Sequence, residues 1–368
     1  MNGKPISFLA AVAMAAMSAG GATAQDITLG IIAPMSGQLA GEGKDLENAI
    51  KLAVSKLNAA GGIAGKKITT VTADDACDPQ QAAAAASKLV SSNVTAVVGG
   101  YCSGAVLPTL RIYGDARVPF VIVGANSTRL VEANPGNAFL VNSTGDAQAV
   151  TAIELFGKKG FKTLAIVDEG DAYSADLSRL IAGGFEKAGG KVVAKDTVAT
   201  GEQDFSALVS RIRAAKPDAV LWTAYHGGGA LLTRQLRQAG FTGAIVLGDG
   251  NNSPEYLKIA GSASEGVYLF SPPVLEFLPD AKNFQTEYKS ASNRDPGAYA
   301  ALAFDAANVA GDAISRAGST NGTEIIKALK ATNYKGLAGV VQFTDKNTLA
   351  GSNFATLQAK AGRWTLAQ

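Results

Sequence analysis

Histidine is all but missing from this chain: the 368 residues contain one, His226. A lone imidazole leaves no His cluster for a metal and little of the acid–base machinery an enzyme needs. Cysteine occurs only twice, as Cys77 and Cys102. Charge of one sign is missing too, with 33 basic against 31 acidic residues. That balance, with no basic stripe, gives no footing for nucleic acid or an anionic membrane. A G-x-G-x-x-G fingerprint is absent from the first strand–helix turn. No Gly-Lys-Ser/Thr follows Gly227–Gly229, so neither a dinucleotide nor a P-loop nucleotide site is expected, and no cofactor. Beyond the first two dozen residues, no apolar run is long enough to cross a membrane.

The N-terminus has an apolar run of its own, and a short one. Lys4 precedes ISFLAAVAMAAMSAG, and Ala22-Thr23-Ala24 gives a small-x-small cleavage site before Gln25. That order is the pattern of a secretory signal peptide over residues 1–24. Export would carry Cys77 and Cys102 into an oxidising compartment, where an even pair is expected as a disulfide. Closing a loop of that size contributes roughly 3 kcal/mol on the chain-entropy estimate.

Residues 25–368 exceed what one hydrophobic core usually serves, so two domains are expected. Short apolar runs alternate with longer amphipathic ones. ITLGIIAPM (27–35) reads as a strand. KDLENAIKLAVSKLNAAGG (44–62) reads as a helix, with apolar residues at 46, 49, 50, 53, 54 and 57 and glycines to end it. Strands follow at KKITTVTADD, VTAVVGG, RVPFVIVGAN and NAFLVNST, with a helix at PQQAAAAASKLVSS. After about residue 145 the alternation restarts, with strands TLAIVDEG, KVVAKDTVA, AVLWTAY, AIVLGDG and GVYLFSPP. Helices DAQAVTAIELFGKKG, SADLSRLIAGGFEKAGG, FSALVSRIRAAK and ALLTRQLRQAG lie among them. Strands alternating with helices imply parallel sheets covered on both faces, and two such series imply two doubly wound α/β lobes. Ligands of such sheets sit beyond the carboxyl ends of the strands.

One of those strand ends carries a hydrolase-like signature. Gly100, Cys102 and Gly104 in GYCSGA fit G-x-C-x-G, a nucleophile elbow with Cys in place of Ser, and HGGG at 226–229 spells an oxyanion-hole motif. The order is wrong for an enzyme. HGGG follows the elbow instead of preceding it, and the only His lies inside HGGG, so none is left to activate the thiol. Catalysis is not expected. The acids Asp74, Asp75 and Asp78 match no EF-hand spacing and read as solvated turn acids.

These residues, from PMSG (34–37) through NAAGGIAGKKI (58–68), DDACDP (74–79), CSG (102–104) and TGEQDF (200–205) to AYH (224–226), GDG (248–250) and SASEG (262–266), run along essentially the whole exported chain. Together they resemble the periplasmic Leu/Ile/Val-binding proteins, the solute receptors of ABC importers with the type I periplasmic-binding-protein fold. DDACDP with the second Cys is the most specific of these features. The resemblance implies two lobes joined by a three-stranded hinge, with ligand in the interlobe cleft. Crossings are placed near Ser143–Gly145, Ser271–Pro273 and Gly351–Phe354. The N-terminal lobe then takes 25–144 and 272–351, and the C-terminal lobe 145–271 and 352–368. The resemblance also implies a Cys77–Cys102 disulfide.

Ligand residues carry over by position. The resemblance assigns the ligand carboxylate to Ser103, where a hydroxyl and free N–H groups at a helix start also suit an anion. In the turn Ala125-Asn126-Ser127-Thr128, it assigns backbone contacts to Ala125 and a hydroxyl contact to Ser127, with Thr128 one step away. It places Tyr173 and Tyr225 over the ligand from the second lobe and gives Asp249 the ligand ammonium. A family Tyr of the side-chain pocket falls on Glu42 or its neighbour Gly41, and Tyr101 is a further pocket candidate. The expectation is a periplasmic solute-binding protein, a monomer that serves an inner-membrane ABC permease. Its expected solute is a branched-chain or other apolar amino acid; the nearest rival is an aromatic or α-keto acid, which lacks the ammonium. A sensor ectodomain of the same fold is disfavoured by the absence of a membrane span.

Overall fold

The computed structural model describes residues 27–279 and 281–367; the expected signal peptide lies outside them. The first series of elements runs β1 (Ile27–Ala33), α1 (Ala40–Ala59), β2 (Ile68–Asp74), α2 (Pro79–Ser91), β3 (Ala96–Gly99), α3 (Ser103–Asp115), β4 (Phe120–Ile122), α4 (Thr128–Ala133) and β5 (Ala138–Leu140). Its sheet has the order β2-β1-β3-β4-β5, all parallel. β1 and β3 are apolar on both faces because helices cover both.

The second series comprises α5 (Gly145–Lys159), β6 (Thr163–Asp168), α6 (Ser174–Lys187), β7 (Lys191–Thr197), α7 (Ser206–Ala215), β8 (Ala219–Trp222), α8 (His226–Gln238), β9 (Ala244–Leu247), α9 (Pro254–Ala260) and β10 (Tyr268–Ser271). The chain then returns to the first lobe. α10 (Ala281–Ser292) and α11 (Ala300–Ala317) pack on α1, and α12 (Gly322–Lys330) packs on α11. A hairpin of β11 (Asn333–Lys335) and β12 (Val340–Gln342) follows. Finally β13 (Ala355–Lys360) and β14 (Arg363–Leu366) join the second sheet antiparallel, giving the order β14-β13-β10-β9-β8-β6-β7. Two of the passages between lobes are pinned together. The Ser143 N–H donates to Asn353 Oδ1 at 3.2 Å, and the Asn353 N–H donates to Ser143 Oγ at 2.8 Å.

Two differences from the sequence reading have local causes. HGGG is the first turn of α8, although the apolar pattern starts the helix only at Ala230. Its glycines are there for packing: a Cβ on Gly228 or Gly229 would lie 2.6 or 2.8 Å from Trp222. Asp75 is also no solvated turn acid. It is buried, and its Oδ1 accepts from the Cys77 N–H at 2.9 Å. Asp74 meanwhile accepts from the Met35 and Ala76 N–H groups, and Asp78 caps α2 through Gln80 and Gln81. Cys77 and Cys102 are joined, Cα to Cα 5.4 Å, which ties the β2–α2 loop to the start of α3. Cys102 is therefore spent as a cross-link and has no free thiol to act as a nucleophile.

Asp75 Oδ2 meets no hydrogen-bond donor among the described residues. Burial pushes this carboxyl up to about 6; the Cys77 N–H pulls the other way, and the charge of Asp74 adds to the rise. The folded chain thus holds the proton more tightly than the unfolded one. The stability this group contributes is full below about pH 4 and is lost as pH rises through about 6. Asp75→Asn is therefore expected to raise the unfolding free energy over the parent by about 2–3 kcal/mol at pH 8 and not at pH 4, read from urea titrations. An equal difference at both pH values would show that Asp75 is not the titrating group.

Candidate functional site

The two sheets present their carboxyl ends to one another across a cleft, and the sequence-derived candidates gather there. α3 begins at Ser103 with Cys102 as its N-cap, and no side chain caps it. Ser103 serves the next loop instead: its Oγ accepts from the Asn126 and Ser127 N–H groups, both at 3.2 Å. With its lone pairs so occupied, the hydroxyl proton is left to donate. Ala125 is buried beside it, its N–H donating to the Gly100 carbonyl at 3.2 Å.

Ser127 and Thr128 face a different partner. Ser127 Oγ donates to Asp176 Oδ2 at 2.9 Å, and Thr128 adds its N–H at 2.7 Å and its hydroxyl at 2.8 Å. Asp176 stands in the first turn of α6, in the opposite lobe, with Arg179 paired to it at 2.5 Å. Burial alone would raise this carboxyl. Donation from Arg179, Thr128 and Ser127 outweighs it and holds Asp176 below the ordinary value. Asp176 carries no motif, and sequence reasoning missed it.

Asp249 is the most heavily bonded acid of the cleft, 1 % exposed in the turn after β9. Tyr173 donates to Oδ1 at 2.7 Å. Tyr299 and Asn126 donate to Oδ2 at 2.7 and 2.9 Å. Gln148, its amide oriented with the nitrogen toward the carboxylate, donates to Oδ1 at 3.0 Å and accepts from the Asp249 N–H at 2.8 Å. Four donors fill the four acceptor directions of one carboxylate. Tyr173 and Gln148 come from the same lobe as Asp249, and Tyr299 and Asn126 from the other. Burial pushes the Asp249 carboxyl above its ordinary value, and donation from Tyr173, Tyr299 and Asn126 opposes that rise. The glycines of GDG make the arrangement possible. A Cβ on Gly248 would meet Tyr173 Oη at 2.8 Å, and one on Gly250 would meet Tyr225 at 3.0 Å. The tyrosines form a packed group: Tyr173 lies 5.3 Å from Tyr225, Tyr225 6.1 Å from Tyr101, and Tyr101 5.2 Å edge-on to Tyr299. Tyr299, from the start of α11, lies in a stretch to which the sequence reading assigned no element.

Beside this group a cavity of about 270 Å³ opens between the lobes. Gln38, Cys102 and Gly104 form one wall; Glu169, Asp171, Tyr225 and His226 form the other. Glu42 stands 3.6 Å from His226 Nδ1 across the cleft, its side chain 13 % exposed. Burial and the charge of Asp171 push Glu169 up to about 7, against donation from Thr200. Among the described residues no helix is long and apolar enough to cross a membrane.

The two-lobed α/β frame with a cleft at its strand ends has a match in sequence: residues 26–363 fit the family model for periplasmic binding proteins. The chain belongs to that family. A leucine-specific-binding protein of Salmonella typhimurium is 30 % identical over 362 residues, covering 97 % of each chain. In three dimensions, a leucine binding protein of Thermotoga maritima superposes with a TM-score of 0.85 at 28 % identity, covering 93 % of this chain and 98 % of that one. A branched-chain amino acid transporter substrate binding protein of Streptococcus pneumoniae, in complex with isoleucine, gives 0.84 at 26 %, covering 92 % and 98 %. The fold is thus the type I, two-lobed periplasmic binding protein, and the chain is a binding protein rather than an enzyme. Among the described residues of this periplasmic binding protein, Asp249 and Asp176 are the acids that take hydrogen bonds from both sides of the cleft.

Tyr173 Oη also accepts from the Gly250 N–H at 3.0 Å, which fixes its proton toward Asp249. Tyr173→Phe is expected to cost about 1–2 kcal/mol of unfolding free energy in urea, since it leaves a buried carboxylate direction and an N–H unpaired. Unchanged stability would show that this bond does not exist in solution.

Proposed function

We propose that the chain is the solute-capturing component of an ABC importer, exported to the periplasm after loss of residues 1–24. In this reading it takes a small carboxylate-bearing solute of the amino-acid class in the interlobe cavity. The observation that carries the reading is Ser103. Its oxygen is occupied by two loop N–H groups and its proton is free, at the first residue of a 13-residue helix whose neighbours Cys102 and Gly104 line the cavity. A carboxylate there would receive the hydroxyl and the helix-start N–H groups. Ala125 would fix the adjoining loop, with Tyr225, seated on Tyr173, as the opposite wall. Ser127 and Thr128 would act through lobe closure on Asp176. The cavity lies just below the range of about 300–1,000 Å³ common for drug-sized ligands, in keeping with a small solute. The relatives named above bind leucine or belong to branched-chain amino acid transporters, which makes such amino acids the first candidates.

A solute touching both walls binds the closed form better than the open one, and only that difference drives closure. A permease would read the closed form. The lobes would comprise 25–144 with 272–351, and 145–271 with 352–368. A second reading, an aromatic or α-keto acid without an ammonium, is favoured by one observation: all four acceptor directions of Asp249 are already taken.

A thermal-shift panel of amino acids, keto acids and aromatic acids tests the reading. A solute at a hundred times its Kd stabilises by about 2.7 kcal/mol, so its melting shift stands clear of the rest. Ser103→Ala is expected to weaken that solute by roughly ten- to a hundred-fold, about 1.5–3 kcal/mol. Failure of every carboxylate-bearing solute to shift the melting temperature would remove the carboxylate-capture reading.

A further inference from the structure

We propose that Glu169, backed by Asp171, receives the cationic end of the bound solute, in place of Asp249. This rests on the carboxylate-capture reading and assigns the other end of the same ligand. Asp249 is no more buried than Ser103, but its carboxylate is bonded in all four acceptor directions and keeps none for an ammonium, whereas Ser103 keeps a hydroxyl proton to donate. The acids that line the cavity are Glu169 and Asp171, on the loop after β6, and among the described residues no Lys or Arg lines it. Asp171 is turned toward its own helix start: it accepts from the Tyr173 and Ser174 N–H groups and from the Ser174 hydroxyl. Glu169 is the freer of the two, with Thr200 as its side-chain donor.

A second observation points to a ligand at the same place. His226 lines the cavity and is 6 % exposed, and among the described residues its Nδ1 has no partner within hydrogen-bond distance, Glu42 Oε1 standing 3.6 Å away. Buried polar atoms are seldom left so unless something else satisfies them. The start of α3 on one wall and the acids on the other give the cavity opposite polarities across the lobes, which suits a zwitterion. The ring of Tyr225 adds an aromatic face to the acidic wall, and such faces attract ammonium groups. The titratable groups around Glu169 are Asp171 on its own loop, Tyr225 and His226 at the start of α8, and Glu42 from α1 beyond His226. Glu169 is held near half-protonation at pH 7 by burial and Asp171, so an ammonium docking on it would expel a proton.

The experiment is calorimetric titration at pH 7 in buffers of differing ionisation enthalpy. The probes are L-leucine, L-isoleucine, L-valine, L-threonine and L-alanine, with the matching 2-oxo acids. The parent protein is expected to release about half a proton per amino acid bound, given a Glu169 carboxyl near 7, and none with the oxo acids. Glu169→Gln is expected to abolish that release and weaken amino acids at least ten-fold, while oxo-acid binding is not weakened and the unliganded melting temperature rises, since the amide removes the burial penalty on the charged carboxyl. Full amino-acid affinity in Glu169→Gln, or no buffer dependence in the parent, would overturn the assignment. Oxo acids binding where amino acids do not would also sink it while leaving carboxylate capture standing. If neither class binds the parent, the Glu169 assignment falls, and carboxylate capture is then decided by the aromatic acids of the thermal-shift panel.

Discussion

A carboxylate sealed between two lobes is costly unless every acceptor direction is filled, and Asp249 is filled from both sides. Its bonds to Tyr173 and Gln148 belong to its own lobe and can persist when the cleft opens. Those to Tyr299 and Asn126 exist only when the lobes meet, so separation must return half of the carboxylate to water or to another donor. Much of the neighbouring sequence is arranged around this demand. Glycines flank Asp249 so that two tyrosines can approach, and Asn126 stands where a smaller residue would leave Oδ2 a donor short.

Asp176 repeats the principle toward the first interlobe passage. It gathers Ser127 and Thr128 from the opposite lobe, and Arg179 compensates its charge within its own helix. The Gly145 N–H donates to the Asn126 carbonyl, which ties the same turn to the first passage between lobes. One four-residue turn, Ala125–Thr128, therefore touches Ser103, Asp249, Asp176 and the hinge. The disulfide fixes the other side of this arrangement by holding the start of α3 against the β2–α2 loop.

Much of the frame was legible in the chain itself. The alternation of apolar and amphipathic runs marks parallel strands and covering helices because that spacing is a local property. The helices α10–α12 escaped such a reading. α11 is buried nearly all round, so it shows no polar face, and it completes a lobe whose sheet lies some 160 residues earlier. The start of α8 was misplaced because glycine is a poor helix former in isolation, whereas here Trp222 requires it. Asp75 looked like a surface acid among turn residues, and only the folded loop, in which it is buried and accepts from the Cys77 N–H, shows otherwise.

The same division runs through the site. Taken alone, the sequence determined the two-lobed α/β frame, the paired cysteines, and the strand-end loops that carry Ser103, Tyr173, Tyr225 and Asp249. The frame and the loops follow from spacing and from residue type at a turn, and the cysteine pair from an even count in an exported chain together with the family resemblance. What the tertiary structure decided is which polar groups meet. Asn126, Gln148 and Tyr299 converge on Asp249 from three separate segments, Asp176 claims Ser127, and the acids that line the cavity are Glu169 and Asp171. Hydrogen bonds across a cleft depend on how two separately folded lobes are set against each other, and no local pattern encodes that distance.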